Sequence, residues 1–224
     1  MILSHKKKYL QIAFNSTLSD ALGIIAQLPP DDRIILEAGT PLIKEFGMDG
    51  IRTIRAAWAA QMRNRANPYV VADMKTMDRA ETEVRMVKDA GAAAAVCLGL
   101  APLETINRFI ETCTAVGLDS MVDMMNVEFP LGVLRHLKKQ PDVVILHRGV
   151  DEEAYNKDKP IPYVQINKVL SGYNVMISIA GGDSIREVQR AVFNGANIVV
   201  VWKDFYRTTG DSGKLAQEFI TQIK

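Results

Sequence analysis

Several features that would assign this chain to a specialised class of protein are missing from its sequence. The 224 residues contain only two cysteines, no linker-like or low-complexity stretch, and no apolar segment after the N-terminal lysines. No run reaches the length of about 18 uninterrupted apolar residues that a membrane span needs. We therefore expect neither a signal peptide nor a membrane contact, and a single domain over residues 1–224. Cys97 and Cys113 lie in apolar runs, which predicts small reduced core residues in a cytoplasmic protein.

An excess of charge of either sign is also missing. The sequence has 27 Lys and Arg against 26 Asp and Glu, and the basic residues are scattered apart from Lys6, Lys7 and Lys8. Nucleic-acid binding needs a concentrated positive surface, so no nucleic-acid partner is expected. A chain of this length buries roughly 70–75% of its unfolded surface on folding, which leaves ample material for a core.

What the sequence does contain is a repeated pattern of short apolar runs, each followed by a turn and a segment of helical periodicity. Strands are predicted at Leu10–Asn15, Arg33–Glu37, Tyr69–Asp73, Ala94–Leu98, Ser120–Asp123, Val143–His147, Val175–Ala180 and Ile198–Trp202. Helices are predicted near 18–28, 50–64, 80–90, 103–116, 129–138, 161–171, 184–194 and 212–223. Strict alternation indicates parallel strands, and eight units fit a single (β/α)8 TIM barrel in the α/β class. The alternative is a doubly wound open sheet, whose usual glycine-rich first turn is not found at Asn15-Ser16-Thr17.

Polar side chains end five of the predicted strands, at Asn15, Glu37, Asp73, Asp123 and His147. In a barrel these ends converge on one cup, where barrel enzymes collect their catalytic groups. The stretch after Asp73 adds Lys75 and Asp78, and an extended strand would place Asp73 and Lys75 on the same face. Such a charge cluster is costly unless its members neutralise one another or hold a ligand, which makes chemistry the first hypothesis.

Each of these charged residues has a functional and a structural interpretation. Glu37 and Asp73 are expected on adjacent strands, a spacing that suits one hard cation such as Mg²⁺, whereas a salt bridge from Glu37 to Lys75 is the structural alternative. Lys75 is expected to stay protonated and to stabilise a developing enolate or deliver a proton, unless it only compensates charge. His147 is either an acid or base near neutral pH or a structural histidine.

Gly181 and Gly182 follow the seventh predicted strand, and a helix begins at Asp183 or Ser184. Paired glycines let backbone N–H groups approach an anion, and a helix N-terminus adds partial positive charge, so this position favours phosphate binding. An ordinary tight turn is the alternative. Gly39-Thr40-Pro41 allows the same two interpretations.

Together these motifs resemble the orotidine 5′-monophosphate decarboxylase suprafamily, and more closely its hexulose-6-phosphate synthase and 3-keto-L-gulonate-6-phosphate decarboxylase branch. The matching segments cover nearly the whole chain and are Leu10–Ala13, Glu37–Ile43, Asp73–Asp78, Val122-Asp123, His147–Gly149 with Asp151, and Ala180–Gly182. The Asp-x-Lys-x-x-Asp signature marks the suprafamily. The Lys-Thr-Met-Asp and Glu-Ala-Gly-Thr-Pro-Leu-Ile runs are most similar to the synthase.

The resemblance implies an Mg²⁺-dependent lyase that acts on a ketose phosphate through a metal-stabilised enediolate. The synthase reaction is the reversible addition of formaldehyde to D-ribulose 5-phosphate, which gives D-arabino-3-hexulose 6-phosphate. Implied metal ligands are Glu37 and Asp73, and implied catalytic residues are Asp73, Lys75, Asp78 and His147. Implied substrate contacts are Asn15, Glu37, Thr76, Asp123, Gly181, Gly182 and Lys203. The residue matching Asp78 usually serves the neighbouring subunit's site, which implies a homodimer with shared active sites.

Three positions depart from the family pattern. Asn15 stands where the family has aspartate, and Arg79 stands where small residues are common. Trp202-Lys203 replaces a Gly-Arg pair that grips the phosphate, so Lys203 or Arg207 would supply that charge. Val150 stands where the decarboxylase branch carries an arginine, which favours the synthase. Two alternatives stay open: a keto-sugar-phosphate decarboxylase, and a divergent member that binds a ligand without turnover.

Overall fold

The computed structural model describes residues 1–63, 67–156, 160–182, 184–207 and 211–223. Within them, eight parallel strands pair in chain order, and β1 pairs with β8 to close a barrel. The strands are β1 (Tyr9–Phe14), β2 (Ile34–Ala38), β3 (Val70–Thr76), β4 (Ala94–Leu98), β5 (Asp119–Asp123), β6 (Val143–His147), β7 (Met176–Ala180) and β8 (Ile198–Val201). This topology confirms the predicted (β/α)8 TIM barrel.

Helices cover the outside of the barrel. In the described ranges they are α1 (Leu18–Ile25), α2 (Thr40–Met62), α3 (Ala80–Asp89), α4 (Leu103–Val116), α5 (Pro130–Leu134), α6 (Val150–Tyr155), α7 (Tyr163–Leu170), α8 (Ile185–Phe193), α9 (Lys203–Arg207) and α10 (Ser212–Gln222). The sequence did not predict α6 and α9, because five or six residues are too few to show a helical period. Helix α2 begins well before the predicted start at residue 50, since a kink at Gly47 interrupts the periodicity.

Seven of the eight predicted strands agree with the observed bounds to within one residue. Asn15 and Trp202 lie just beyond the last residue of their strands instead of ending them. The prediction that Asp73 ends its strand was wrong, because β3 continues to Thr76. The predicted helix 129–138 is shorter in the structure, and residue 64 of the predicted helix 50–64 lies outside the described residues.

Two apolar cores result from the alternation of side chains along the strands. Residues such as Ile35, Val71 and Met121 fill the inside of the barrel. Residues such as Trp58 and Phe109 fill the layer between the barrel and its helices. Because both faces of each strand are covered, the carboxyl ends of the strands are the natural place for a cluster of polar groups.

The predictions of buried, reduced cysteines and of no membrane span can be compared with the structure. Cys97 and Cys113 are free thiols buried in the outer core, as predicted. In the part of the chain that the structure describes, no helix has both the length and the apolarity needed to cross a bilayer. The cytoplasmic location stays a prediction.

Candidate active site

A cavity of about 480 Å³ opens at the carboxyl ends of the strands. This is the end of the barrel at which barrel enzymes bind their substrates. Its wall includes seven of the eleven predicted catalytic and substrate-binding residues, namely Asn15, Glu37, Asp73, Lys75, Asp123, His147 and Gly181. The structure therefore brings most of the predicted site together, while the role of each residue stays a prediction.

Lys75 lies at the centre of a network of charges in this cavity. Its Nζ atom is 3.0 Å from Oδ2 of Asp73 and 3.0 Å from Oδ2 of Asp123. Burial alone lowers the pKa of Lys75, but the two carboxylates outweigh it and hold the pKa above its ordinary value. The side chain is therefore a cation near neutral pH. Among the described residues its ion pairs run to these aspartates, so the alternative of a salt bridge from Glu37 is not what forms.

The backbone at Lys75 explains how its ammonium reaches both aspartates. Its φ is +47°, and the pairing of β3 with β4 shifts register between Ala72 and Thr76. The strand is thus not extended at this point, and the simple alternation expected for Asp73 and Lys75 does not hold. A residue with a side chain costs on the order of 1–3 kcal/mol in such a conformation, so the surrounding fold imposes it.

Asp123 joins Lys75 to His147. Its Oδ2 atom is 2.8 Å from Nδ1 of His147, and its Oδ1 accepts a hydrogen bond from the backbone N–H of Met125. Burial alone raises the pKa of Asp123, but His147 and Lys75 outweigh it and lower the pKa to about 2. Burial likewise lowers the pKa of His147, and the Asp123 carboxylate raises it above its ordinary value. The pair therefore favours an imidazolium held against a carboxylate.

Glu37 has a different environment, although it lines the same cavity. Its Oε2 atom accepts a hydrogen bond from the Nε2 group of Gln11, a neutral donor. Burial, reinforced by repulsion from Asp73, raises the pKa of Glu37 to about 7. The Oε1 atom of Gln11 is buried without a hydrogen-bond partner among the described residues. The sequence analysis missed Gln11, although a single polar residue in an apolar strand was a usable signal.

Asp73 also has a partner, Thr40, whose contact with it the sequence analysis did not predict. The hydroxyl of Thr40, at the start of α2, donates to Oδ2 of Asp73 over 2.9 Å. Gly39-Thr40-Pro41 begins this helix, and phosphate binding by the motif stays a prediction. Thr40 is therefore the first residue of α2 and also lines the cavity.

The Glu37 and Asp73 carboxylates fit a divalent cation as two of its ligands. Both are buried, and their mutual repulsion is the kind of strain that a hard cation relieves. The described ranges hold no cluster of three or more His, Cys, Asp or Glu side chains arranged for a metal. A cation at this position would therefore take its remaining ligands from substrate or water.

Four predicted residues are not part of the cavity wall. Thr76 is buried, and its hydroxyl donates to Glu83 on α3. Asp78 is exposed in the loop between β3 and α3. Gly182 packs against α8, and Lys203 forms an ion pair with Glu153 on α6. Their roles in binding or catalysis stay predictions.

Packing requires a glycine at position 181, the first of the pair after β7. Gly181 has a φ of +101°, and a Cβ atom there would lie 2.4 Å from the carbonyl oxygen of Arg148. The Gly181 carbonyl accepts a hydrogen bond of 2.7 Å from Nη2 of Arg148. Ser184 caps α8 as predicted, whereas Asp183 lies outside the described residues. Phosphate binding by this segment therefore stays a prediction.

The three departures from the family pattern occupy distinct places. Asn15 covers Gly39 so closely that a Cβ on Gly39 would lie 1.9 Å from its Oδ1 atom. Trp202 lines the cavity and meets the ring of Tyr206 edge-on, with centroids 6.3 Å apart. Arg79 is exposed and has a φ of +54° immediately before α3. Asn15 and Trp202 therefore affect the shape of the cavity directly, whereas Arg79 does not line it.

Comparison with known proteins adds a second line of evidence. The family model described as orotidine 5′-phosphate decarboxylase / HUMPS matches residues 8–207. A bifunctional enzyme Fae/Hps from Methanocella arvoryzae is 37% identical over 220 residues, which are 96% of this chain and 53% of that protein. The chain spans about half the length of the curated relatives it matches.

Solved structures agree with this assignment. The crystal structure of 3-hexulose-6-phosphate synthase from Salmonella typhimurium has a TM-score of 0.84 and 25% identity, covering 96% of this chain and 98% of that one. A second 3-hexulose-6-phosphate synthase structure has a TM-score of 0.79 and 28% identity, covering 96% of this chain and all of that one. The resemblance inferred from the motifs is confirmed. This chain belongs to the orotidine 5′-phosphate decarboxylase / HUMPS family.

Proposed function

We propose that this chain is an aldehyde-lyase of the hexulose-6-phosphate synthase kind, which adds formaldehyde reversibly to D-ribulose 5-phosphate. The observation that carries the proposal is the largely buried network of Asp73, Lys75, Asp123 and His147 at the mouth of the barrel. The Fae/Hps relative and the two synthase structures support the same reaction.

His147 is the group that would move the proton. Because Asp123 holds its Nδ1 atom, Nε2 is the ring nitrogen left to exchange a proton with the substrate. After His147 has lost its Nε2 proton to solvent, it would take a proton from the hydroxymethyl carbon beside the ketone, and Asp123 would stabilise the imidazolium that forms again. The carbon then bonds to formaldehyde, and the imidazolium returns its proton to the alkoxide formed there.

Lys75 would stabilise the negative charge that develops on the substrate oxygens during this step. Its ammonium is already held in place by two aspartates, so no reorganisation is needed when that charge appears. Asn15, Asp123 and Glu37 line the same cavity and would contact the sugar hydroxyls.

Mg²⁺ is the proposed cofactor, with Glu37 and Asp73 as its protein ligands. When bound, it would supply positive charge that stabilises the developing oxyanion. Calorimetry on the purified protein should detect Mg²⁺ binding that Glu37→Gln weakens at least about tenfold, because a neutral amide is a poorer ligand for a hard cation. Unchanged affinity in this variant would remove Glu37 from the ligand set.

A direct assay tests the reaction. Purified protein is incubated with ribulose 5-phosphate, formaldehyde and Mg²⁺, and formaldehyde consumption is measured together with its release from the hexulose phosphate. Lys75→Met, which keeps the length of the side chain without its charge, is the matched control. No turnover in either direction rejects the proposal, and release of CO₂ from 3-keto-L-gulonate 6-phosphate would favour the decarboxylase. Absence of both activities favours the divergent ligand-binding member.

A homodimer with shared active sites completes the proposal. Asp78 is exposed outside its own cavity, and Met77 and Leu100 expose apolar surface on neighbouring loops. Mixing inactive Lys75→Met protein with inactive Asp78→Ala protein should restore activity to about one quarter, because half of randomly mixed dimers have one intact site. No recovery after subunit exchange, or a monomer by light scattering, would contradict shared sites.

A further inference from the structure

Two cations and one carboxylate meet where the segments after β6 and β8 approach each other at the cavity. Lys203 pairs with Oε2 of Glu153, and its Nζ lies 5.5 Å from the centre of the Trp202 ring. Nη2 of Arg148 is 3.9 Å from Oε1 of Glu153. Arg148, Glu153 and Trp202 line the cavity next to Gly181. We call Arg148, Glu153 and Lys203 the rim cluster.

The carboxylate is the more accessible member of the rim cluster. The Glu153 side chain is 31% exposed, against 12% for Arg148 and 15% for Lys203. Glu153 lies on α6, a six-residue helix with no buried residue. The cations are anchored differently, since Arg148 also donates to the Gly181 carbonyl and Lys203 lies against Trp202. An outward movement of Glu153 would therefore leave these two contacts of the cations intact.

We propose that Glu153 is a specificity-determining residue that occupies, in the free protein, the position of the substrate's phosphate group. The inference rests on the proposed function for its ligand, because a ketose phosphate brings the anion. A phosphate dianion replaces one negative charge with two beside Arg148 and Lys203, whereas a singly charged or neutral ligand gains little from the exchange. Glu153 thus selects for a doubly charged group and keeps weaker anions out of the cavity.

Binding of inorganic phosphate, measured by calorimetry at a pH where phosphate is a dianion, tests this. Glu153→Gln should bind phosphate roughly five- to tenfold more tightly than the parent, since a competing charge is lost while the helix position keeps its size. Acetate should bind to Glu153→Gln but not to the parent. Asp151→Asn is the control, because it removes the same charge from the same helix and from the cavity wall. Asp151→Asn should change the phosphate affinity less than about twofold, because the charge that it removes is screened by solvent.

A second variant keeps the test decisive if Glu153→Gln folds poorly. Lys203→Met should weaken phosphate binding in the otherwise unchanged protein, and adding Glu153→Gln to it should give a smaller gain than in the parent. Unchanged affinity in Glu153→Gln, or an equal gain in Asp151→Asn, overturns the inference. The binding measurement needs no turnover. An inactive protein with the expected affinities rejects the proposed reaction and keeps this inference, whereas an active protein with unchanged affinities does the opposite.

Discussion

Strand β5 carries a buried aspartate at each end, Asp119 at the floor of the barrel and Asp123 at its mouth. Asp119 accepts hydrogen bonds from the backbone N–H groups of Ile2 and Leu3 and from the hydroxyl of Tyr69. Asp123 is held instead by the cations Lys75 and His147. The same side chain on one strand thus has largely neutral partners at one end and charged partners at the other.

The pKa values of these two carboxyl groups shift in opposite directions. Burial raises the pKa of Asp119, and its hydrogen-bond donors compensate only in part. Burial also acts on Asp123, but its cations lower the pKa to about 2. The charge of the partners therefore decides the direction of the shift, and burial alone does not. At the floor of the barrel, mainly neutral donors satisfy the Asp119 carboxyl group. At the mouth, the Asp123 carboxylate stays ionised and is available to the proposed reaction.

The largest expected difference between the two ends is in activity. Asp123→Asn should lower kcat/KM in the aldolase assay on the order of 10³-fold, because it removes the anion that orients His147 and pairs with Lys75. Asp119→Asn should keep activity within a few-fold but lower the free energy of unfolding by about 1–3 kcal/mol, since an amide cannot accept every donor there. Steady-state kinetics and urea unfolding check both variants. Equal losses of activity would remove the distinction between floor and mouth.

Glu37 separates the effect of position on a carboxyl pKa from the effect of partner charge. It lies at the mouth of the barrel, yet it accepts a hydrogen bond from the neutral Gln11. Its pKa is raised from 4.5 to about 7, so the folded protein keeps a proton that the unfolded chain has lost between these values. Without Mg²⁺, the free energy of unfolding should therefore fall by about 3 kcal/mol as the pH rises from about 4.5 to 7. Urea unfolding across this range measures the slope.

Glu37→Gln should reduce that slope, and Glu45→Gln, an exposed change on α2, should not. The raised pKa of His147 gives a slope of the same sign as the pH passes through its titration range, so a smaller dependence remains in Glu37→Gln. Mg²⁺ should displace the proton from Glu37, and calorimetry near pH 7 in buffers of different ionisation enthalpy should detect its release. A slope unchanged by Glu37→Gln would show that the carboxyl is already ionised.

The smallest expected effect is at the floor. Tyr69→Phe removes one of the hydrogen bonds to Asp119 without changing a charge, and should lower the free energy of unfolding by about 1 kcal/mol. Activity should stay unchanged, because no group at the mouth is touched. Urea unfolding and the aldolase assay provide both readouts. A large loss of turnover would mean that floor and mouth are coupled along β5.

The barrel was predictable from the sequence because its strands are buried on both faces and end in polar residues. Glu37, Asp123 and His147 were located from that pattern alone, since the carboxyl ends of parallel strands converge. The extension of β3 through Lys75 was not predictable from periodicity, because a left-handed residue breaks the alternation on which strand assignment depends.

Other parts of the site left little or no signal in the sequence. Glu153 lies on a helix of six residues, and its contact with Lys203 joins elements that are fifty residues apart in the chain. The first part of α2, which carries Thr40, was hidden by the irregular backbone at Gly47. Contacts of this kind depend on how loops pack over a finished barrel, which no local pattern encodes.

The left-handed backbone at Lys75 has a consequence for anyone who redesigns this pocket. Because the backbone conformation directs the Lys75 ammonium into the cavity, libraries that randomise the surrounding side chains should keep the ammonium in its position. Insertions or deletions between Ala72 and Thr76 would rotate it out of the cavity. In segments grafted from relatives, the number of residues between Ala72 and Thr76 should therefore be kept, even where the residues themselves differ.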